Sequence, residues 1–424
     1  MTNRERFLRF MRGEEVDRPL YWYGGPREST FNAWMKQGLR PEQRERWAEF
    51  VGEERGIGIG KVCTLPIPPF EVKVLEKRGS KKIWIDEMGV KRVDHVDPAT
   101  PGFVTRSYLE FPVKNRDDFL EMKKRHNPAD PRRYLPDGCS APLPDPRTWN
   151  YDRNDQRIYL NRIALCREST EPVSFTCRGL YWTIRDWVGF ENLSIMFYDQ
   201  PNLVHEMMDF WTDFLIALYT PVLRVIQADF VVINEDMAFK TQAMISGAMM
   251  REFMIPRYRR LIQFFRNHGV QFVVMDSDGH NSQILKEFIP AGLDGIQPME
   301  IAANNDPAVY LAQYPRMITW GGIDKRELRF GLERVRAEVK RRFAAQRRFK
   351  RYLPCVDHGV PPDIPLRNFL YMVELIKGFS NAEDLDRYEP PRDLERQLGP
   401  ITEMFDPLKA VPAAEGGDEG EPVA

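Results

Sequence analysis

Ionisable residues recur in this sequence at one kind of place, directly after short apolar runs. Glu235-Asp236 follow FVVIN, Asp276-Ser277-Asp278 follow FVVM, Glu300 follows GIQPM, Asp324 follows GGI and Asp357-His358 follow LPCV; Arg178 follows VSFTC. If the runs are parallel strands, their C-terminal ends share one mouth, where catalytic groups of α/β barrels project. Carboxylates gathered there repel one another and hold protons more tightly unless a cation compensates. Arg27, Arg178, Arg185 or a divalent ion could supply that charge, since Asp and His are ordinary ligands of divalent metals. A plainer reading stays open. Asp and Ser at strand-to-helix turns cap the next helix, which suits Asp324 best, whereas Glu235-Asp236, Asp276-x-Asp278 and Asp357-His358 each supply two ionisable groups. Tyr21, Trp22, Tyr23, Tyr181, Trp182 and Trp187 would crowd the same end, as core packing or as the lining of a pocket.

The elements that must position these residues form a repeating pattern from about Val173 onward. VSFTCRG (173–179), DFVVINED (229–236), VQFVVMDSDG (270–279), GLDGIQPME (292–300), MITWGGID (317–324) and YLPCVDHG (352–359) read as strands. Helical segments are expected at 201–226, 247–268, 281–289, 306–314, 326–347 and 366–378. Alternation of this kind describes parallel strands with helical crossovers, and unbroken runs such as FVVI imply burial on both faces. PLYWYGG (19–25) and GIGIGKV (56–62) bring the strand count towards eight. The expected fold is α/β, a (β/α)8 TIM-type barrel. Residues 71–96 differ: EVKVLEK, KKIWIDE and VKRVDHV alternate around Gly79 and Gly89 and read as an inserted antiparallel meander. The Pro-, Asp- and Arg-rich stretch 126–150 reads as irregular. The expected organisation is one domain over 1–405, with an insertion at about 66–150 and a disordered acidic tail at 406–424.

Composition sets the outer limits. At 424 residues, 42% hydrophobic and 29% charged, the chain suits one elaborated barrel. Apolar runs fall short of the roughly 18 residues that span a bilayer. Phe7, Phe10 and Met11 sit at helical spacing among charges, unlike a secretory signal, so a cytoplasmic protein is expected. The five cysteines form no CxxC pair and read as buried or free thiols. A net charge of −1 gives no reason to expect nucleic acid or a membrane as partner, and the basic run Lys340–Arg351 reads as the solvated side of a helix.

The segments RPLYWYGGPR (18–27), GLYWTIRDW (179–187), EDMAFKTQAMIS with REFMIPRY (235–258), DSDG (276–279), WGGIDKREL (320–328) and DHGVPPDIPLRNF (357–369) resemble, in order, the motif series of the uroporphyrinogen decarboxylase superfamily. That resemblance implies a (β/α)8 barrel with its site at the mouth. It brings two activities: cofactor-free decarboxylation of a tetrapyrrole polycarboxylate, and zinc-dependent methyl transfer between a corrinoid protein and a thiol. Compared with the decarboxylases, only Arg27 stands for an arginine pair, and KVCTLPIPPFE lacks the family's aspartate. In the methyltransferases zinc is held by His-x-Cys and a later Cys, at positions matching Asp276, Asp278 and His358. The resemblance therefore implies a divalent metal at those three residues, zinc or another ion. Catalytic roles are expected for Glu235, Asp236 and His358, and substrate contacts for Arg27, Arg178, Tyr181, Arg185, Trp187 and Asp324. The expected activity is metal-assisted methyl transfer or demethylation of a small molecule with a corrinoid protein as partner. Decarboxylation and a non-catalytic ligand- or corrinoid-partner-binding barrel are the alternatives, and a homodimer is left open.

Overall fold

The structure, a computed structural model, describes residues 1–60, 62–96, 104–134 and 162–391. The expected acidic tail at 406–424, the end of the domain at 405 and most of the irregular stretch 126–150 lie outside the described residues.

Eleven strands are described: β1 (Ile57–Gly58), β2 (Lys73–Arg78), β3 (Lys81–Ile85), β4 (Lys91–Val96), β5 (Val104–Glu110), β6 (Val173–Arg178), β7 (Phe230–Asn234), β8 (Phe272–Asp276), β9 (Gly295–Gln297), β10 (Thr319–Ile323) and β11 (Tyr352–Val356). A parallel sheet runs β1-β6-β7-β8-β9, and β10 pairs in parallel with β11. Parallel bridges Gly295↔Ile318 and Met299↔Gly321 join the two sets. Beyond β11, Val356 donates to the Tyr23 carbonyl (3.2 Å), Val360 to that of Gly25 (3.0 Å), and Glu54 to that of Tyr21 (2.9 Å). The chain is thus α/β with a parallel sheet, in agreement with the sequence.

Alternation along these strands sorts the core. Val173, Phe175, Cys177, Val231, Ile233, Val273 and Met275 pack outward under the helices. Phe230, Phe272, Val274, Ile318, Trp320, Leu353 and Cys355 form a second layer on the opposite face. The N-terminal helix Asn3–Arg12 joins that inner layer through Phe7, Phe10 and Met11, and Phe7 meets Phe230 at 4.8 Å between ring centroids. A capping box between Thr2 and Glu5 starts this helix, and the Arg4–Asp229 ion pair (2.9 Å) ties it to the start of β7.

Helices match the expected segments closely, as at Pro201–Leu223, Ser282–Phe288, Pro307–Gln313 and Leu366–Asn381. Two others, Leu180–Val188 and Phe190–Asp199, went unrecognised because their rings and Gly189 (φ 85°) blur the period. The meander exists as an antiparallel sheet β2-β3-β4-β5, one strand larger than expected. Within the basic helix Leu332–Arg348, Arg342 is buried rather than solvated, held by Glu338 at 2.7 Å. Cys63 is disulfide-bonded, which corrects the expectation of free thiols at that position; its spacing in the sequence carries no such signal. Cys166, Cys177 and Cys355 are free and buried, and Cys139 lies outside the described residues. Among the described residues no helix is long and apolar enough to cross a membrane.

Candidate active site

Asp276 ends β8 on the inner face, and Asp278 follows in the loop. Asp278 Oδ2 lies 3.2 Å from Nε2 of His358, which follows β11. Arg27 Nη2 is 3.5 Å from the other ring nitrogen, Nδ1. Burial opposes the charged form of His358, but the hydrogen bond and charge of Asp278 outweigh it and hold the imidazole pKa above its ordinary value. Burial likewise raises Asp278, with His358 working against the rise. Both groups are thus held above their ordinary values. Asp276 is pushed up to about 7 by burial and by the charges of Asp278 and Asp236. Its Oδ2 accepts from Gln297 Nε2 at 2.6 Å.

The surrounding carboxylates are mostly committed to the backbone. Asp236, at a left-handed φ of 48°, accepts the Asp278 N–H (3.1 Å), and its carbonyl accepts from Arg185 Nη1 (2.7 Å). Glu300 accepts the Gly279 N–H (3.1 Å) and approaches Lys325 Nζ (3.4 Å). Gly279 needs its small size, because a Cβ there would come 2.6 Å from the Ala238 carbonyl oxygen. Asp357 is fully buried, accepts from Ile301 and Lys325 N–H groups (3.1 and 3.3 Å), and is pushed up to about 7 by burial.

Several expected roles change. Glu235 is a helix cap, not an open catalytic group. Its carboxylate accepts from the Leu180, Tyr181 and Trp182 N–H groups (2.8, 3.0 and 2.9 Å) and from the Tyr258 hydroxyl. Burial lifts its pKa to about 7 while these bonds oppose the rise. Gly179 is required beside it, since a Cβ would sit 2.4 Å from Glu235 Cδ. Trp187 is a core residue, with ring centroids 5.3 Å from His126 and 5.4 Å from Trp211, because it falls on the buried face of its helix. Tyr181 is fully buried on the same helix. Asp324 closes its own turn by accepting from Arg326 N–H (2.9 Å) and pairing with the Arg326 side chain (2.8 Å). Arg178 pairs with Asp186 and lies over the Trp182 ring.

The structure thus brings Asp276, Asp278, His358, Arg27 and Asp236 together and leaves Glu235, Tyr181, Trp187 and Asp324 in structural positions. Among the described residues no group of three or more His, Cys, Asp or Glu side chains is placed to hold a metal ion. Asp278 and His358 direct their lone pair and proton at each other, and Asp276 Oδ2 is taken by Gln297, so the set as arranged does not fit a ligand cage. Gln297 and Lys325 escaped the sequence reading. Gln297 lies on the inner face of β9 in register with Asp276, and that alternation was the available signal.

Comparisons with known proteins agree with this fold. Residues 185–379 match the family model of uroporphyrinogen decarboxylase (URO-D). The fold is similar to that of a methyltransferase from Methanosarcina mazei, with a TM-score of 0.55 and 15% sequence identity, covering 89% of this chain and 99% of that one. No curated protein matches the sequence. The match over residues 185–379 supports a relation to the uroporphyrinogen decarboxylase superfamily.

Proposed function

We propose that this chain is a small-molecule enzyme in which the Asp278–His358 pair delivers a proton to the leaving heteroatom of a methylated substrate. The observation that carries this reading is the 3.2 Å approach of the two side chains, with the buried Asp276 close by. In this account eight parallel segments, residues 20–26 with β1 and β6 to β11, close into a barrel within a single domain. The acid pair lies at its mouth.

A corrinoid protein would supply the electron pair that forms the new bond to the methyl carbon. The old bond breaks with its electrons on nitrogen, oxygen or sulfur, and that atom takes the proton held between Asp278 and His358. Asp236 fixes the Asp278 loop, Gln297 orients Asp276, and Arg27 borders the imidazole. A mouth rich in carboxylates favours a neutral or cationic substrate over a polycarboxylate.

The test is to incubate the protein with reduced cobalamin and a panel of methylated amines, phenols and thiols, following methylcobalamin by its absorbance. Transfer that disappears in Asp278→Asn supports the reading. Absence of transfer, with coproporphyrinogen produced from uroporphyrinogen, would replace it by decarboxylation, the activity named by the matching family model.

A further inference from the structure

A cavity of about 230 Å³ lies inside the strand layer, and neither Asp278 nor His358 lines it. Its walls are aromatic. Trp22 and Trp320 stack on each other at 5.7 Å with 14° between planes, and Phe230 stands edge-on to Trp320. Ser174 contributes a hydroxyl, and Gln297, the partner of Asp276, closes one end. The other end is bounded by Asn3, Glu54, Arg55 and Pro172, all near the N-terminal ends of the strands.

The charges at that end are unequal in their commitments. Glu54 is satisfied: Oε1 takes Arg6 (2.9 Å) and Arg18 (2.7 Å), and Oε2 takes the Tyr21 N–H (2.9 Å). Arg55 makes no ion pair or hydrogen bond among the described residues; its charge reaches Glu53, whose carboxylate is already occupied by the Tyr23 N–H (2.9 Å). Arg55, an exposed residue, thus lines one end of an aromatic chamber sized for a single ring.

We propose that this cavity is a second ligand site, separate from the acid pair, for a small aromatic carboxylate. The ring would lie against Trp320 and Phe230, and the carboxylate would meet Arg55 at the rim, a geometry in which the guanidinium fork can bind two oxygens. Gln297 would carry the presence of the ring to Asp276. This inference does not depend on the reaction at the mouth.

Benzoate and its neutral counterpart benzyl alcohol are the probes, titrated calorimetrically into the full-length protein. Saturable benzoate binding is expected, weakened at least tenfold by Arg55→Ala while benzyl alcohol is unaffected, and abolished for both probes by Val232→Phe, which fills the chamber. Because Arg55 is exposed, its replacement leaves the fold intact even if Val232→Phe does not fold. Absence of saturable binding at millimolar benzoate, or binding unchanged by Arg55→Ala, would overturn the proposal.

Discussion

Asp278 Oδ2 and His358 Nε2 lie 3.2 Å apart although they leave different strands, β8 and β11, at distant points of the chain. The pairing makes each residue depend on the other for its protonation state. Asp278→Asn and His358→Gln are each expected to lower kcat by about 10²- to 10⁴-fold, the usual worth of a positioned acid–base group. The double variant should be little worse than either single one, because the two act as a unit. Steady-state kinetics on the three variants, with circular dichroism to confirm the fold, checks this.

Glu235 should behave differently. Removing its carboxylate orphans three N–H groups at the start of the helix Leu180–Val188 and the Tyr258 hydroxyl. Glu235→Ala is expected to lower stability by about 1–3 kcal/mol. Urea unfolding measures this, and kcat per folded molecule should stay near that of the parent. A catalytic Glu235 would give the reverse pattern.

Stability should fall as pH rises from about 4 to 7. Glu235, Asp276 and Asp357 are each pushed up to about 7 in the folded protein, chiefly by burial, while an unfolded chain titrates near the ordinary values. Between those limits the folded state binds more protons, so their contribution is complete below the unfolded pKa and is lost as pH passes the folded one. Urea midpoints measured across this range should decrease, and Asp276→Asn should flatten the slope.

Uroporphyrinogen should not be turned over at an enzymatic rate. Its carboxylates would enter a mouth holding Asp236, Asp276, Asp278 and Glu300, where Lys325 already faces Glu300 and Arg27 faces His358. Coproporphyrinogen assayed by chromatography is the readout.

The strands are legible in the sequence because parallel strands bury both faces and so read as unbroken apolar runs, and the two-residue period of a strand then puts Asp276 on the inner face of β8. The Asp278–His358 approach could be expected only through the family resemblance, since no local spacing reports a contact between separate strands. Glu235 is ambiguous for a physical reason: a carboxylate after a strand looks the same in sequence whether it faces substrate or a neighbouring helix N-terminus. Trp187 is ambiguous likewise, because one aromatic residue on an unrecognised helix gives no sign of which face it occupies. Gln297 was missed because reading for charge passes over an amide.

The most direct measurement is the pKa of His358 by NMR titration of its ring nitrogens, feasible because the chain has only 6 histidines. The account predicts a value above the ordinary ~6.5, dropping by at least about one unit in Asp278→Asn, which keeps the burial and removes the charge. A pKa at or below ~6.5 in the parent, or one unmoved by Asp278→Asn, would contradict the proton-holding pair at the centre of the proposed function.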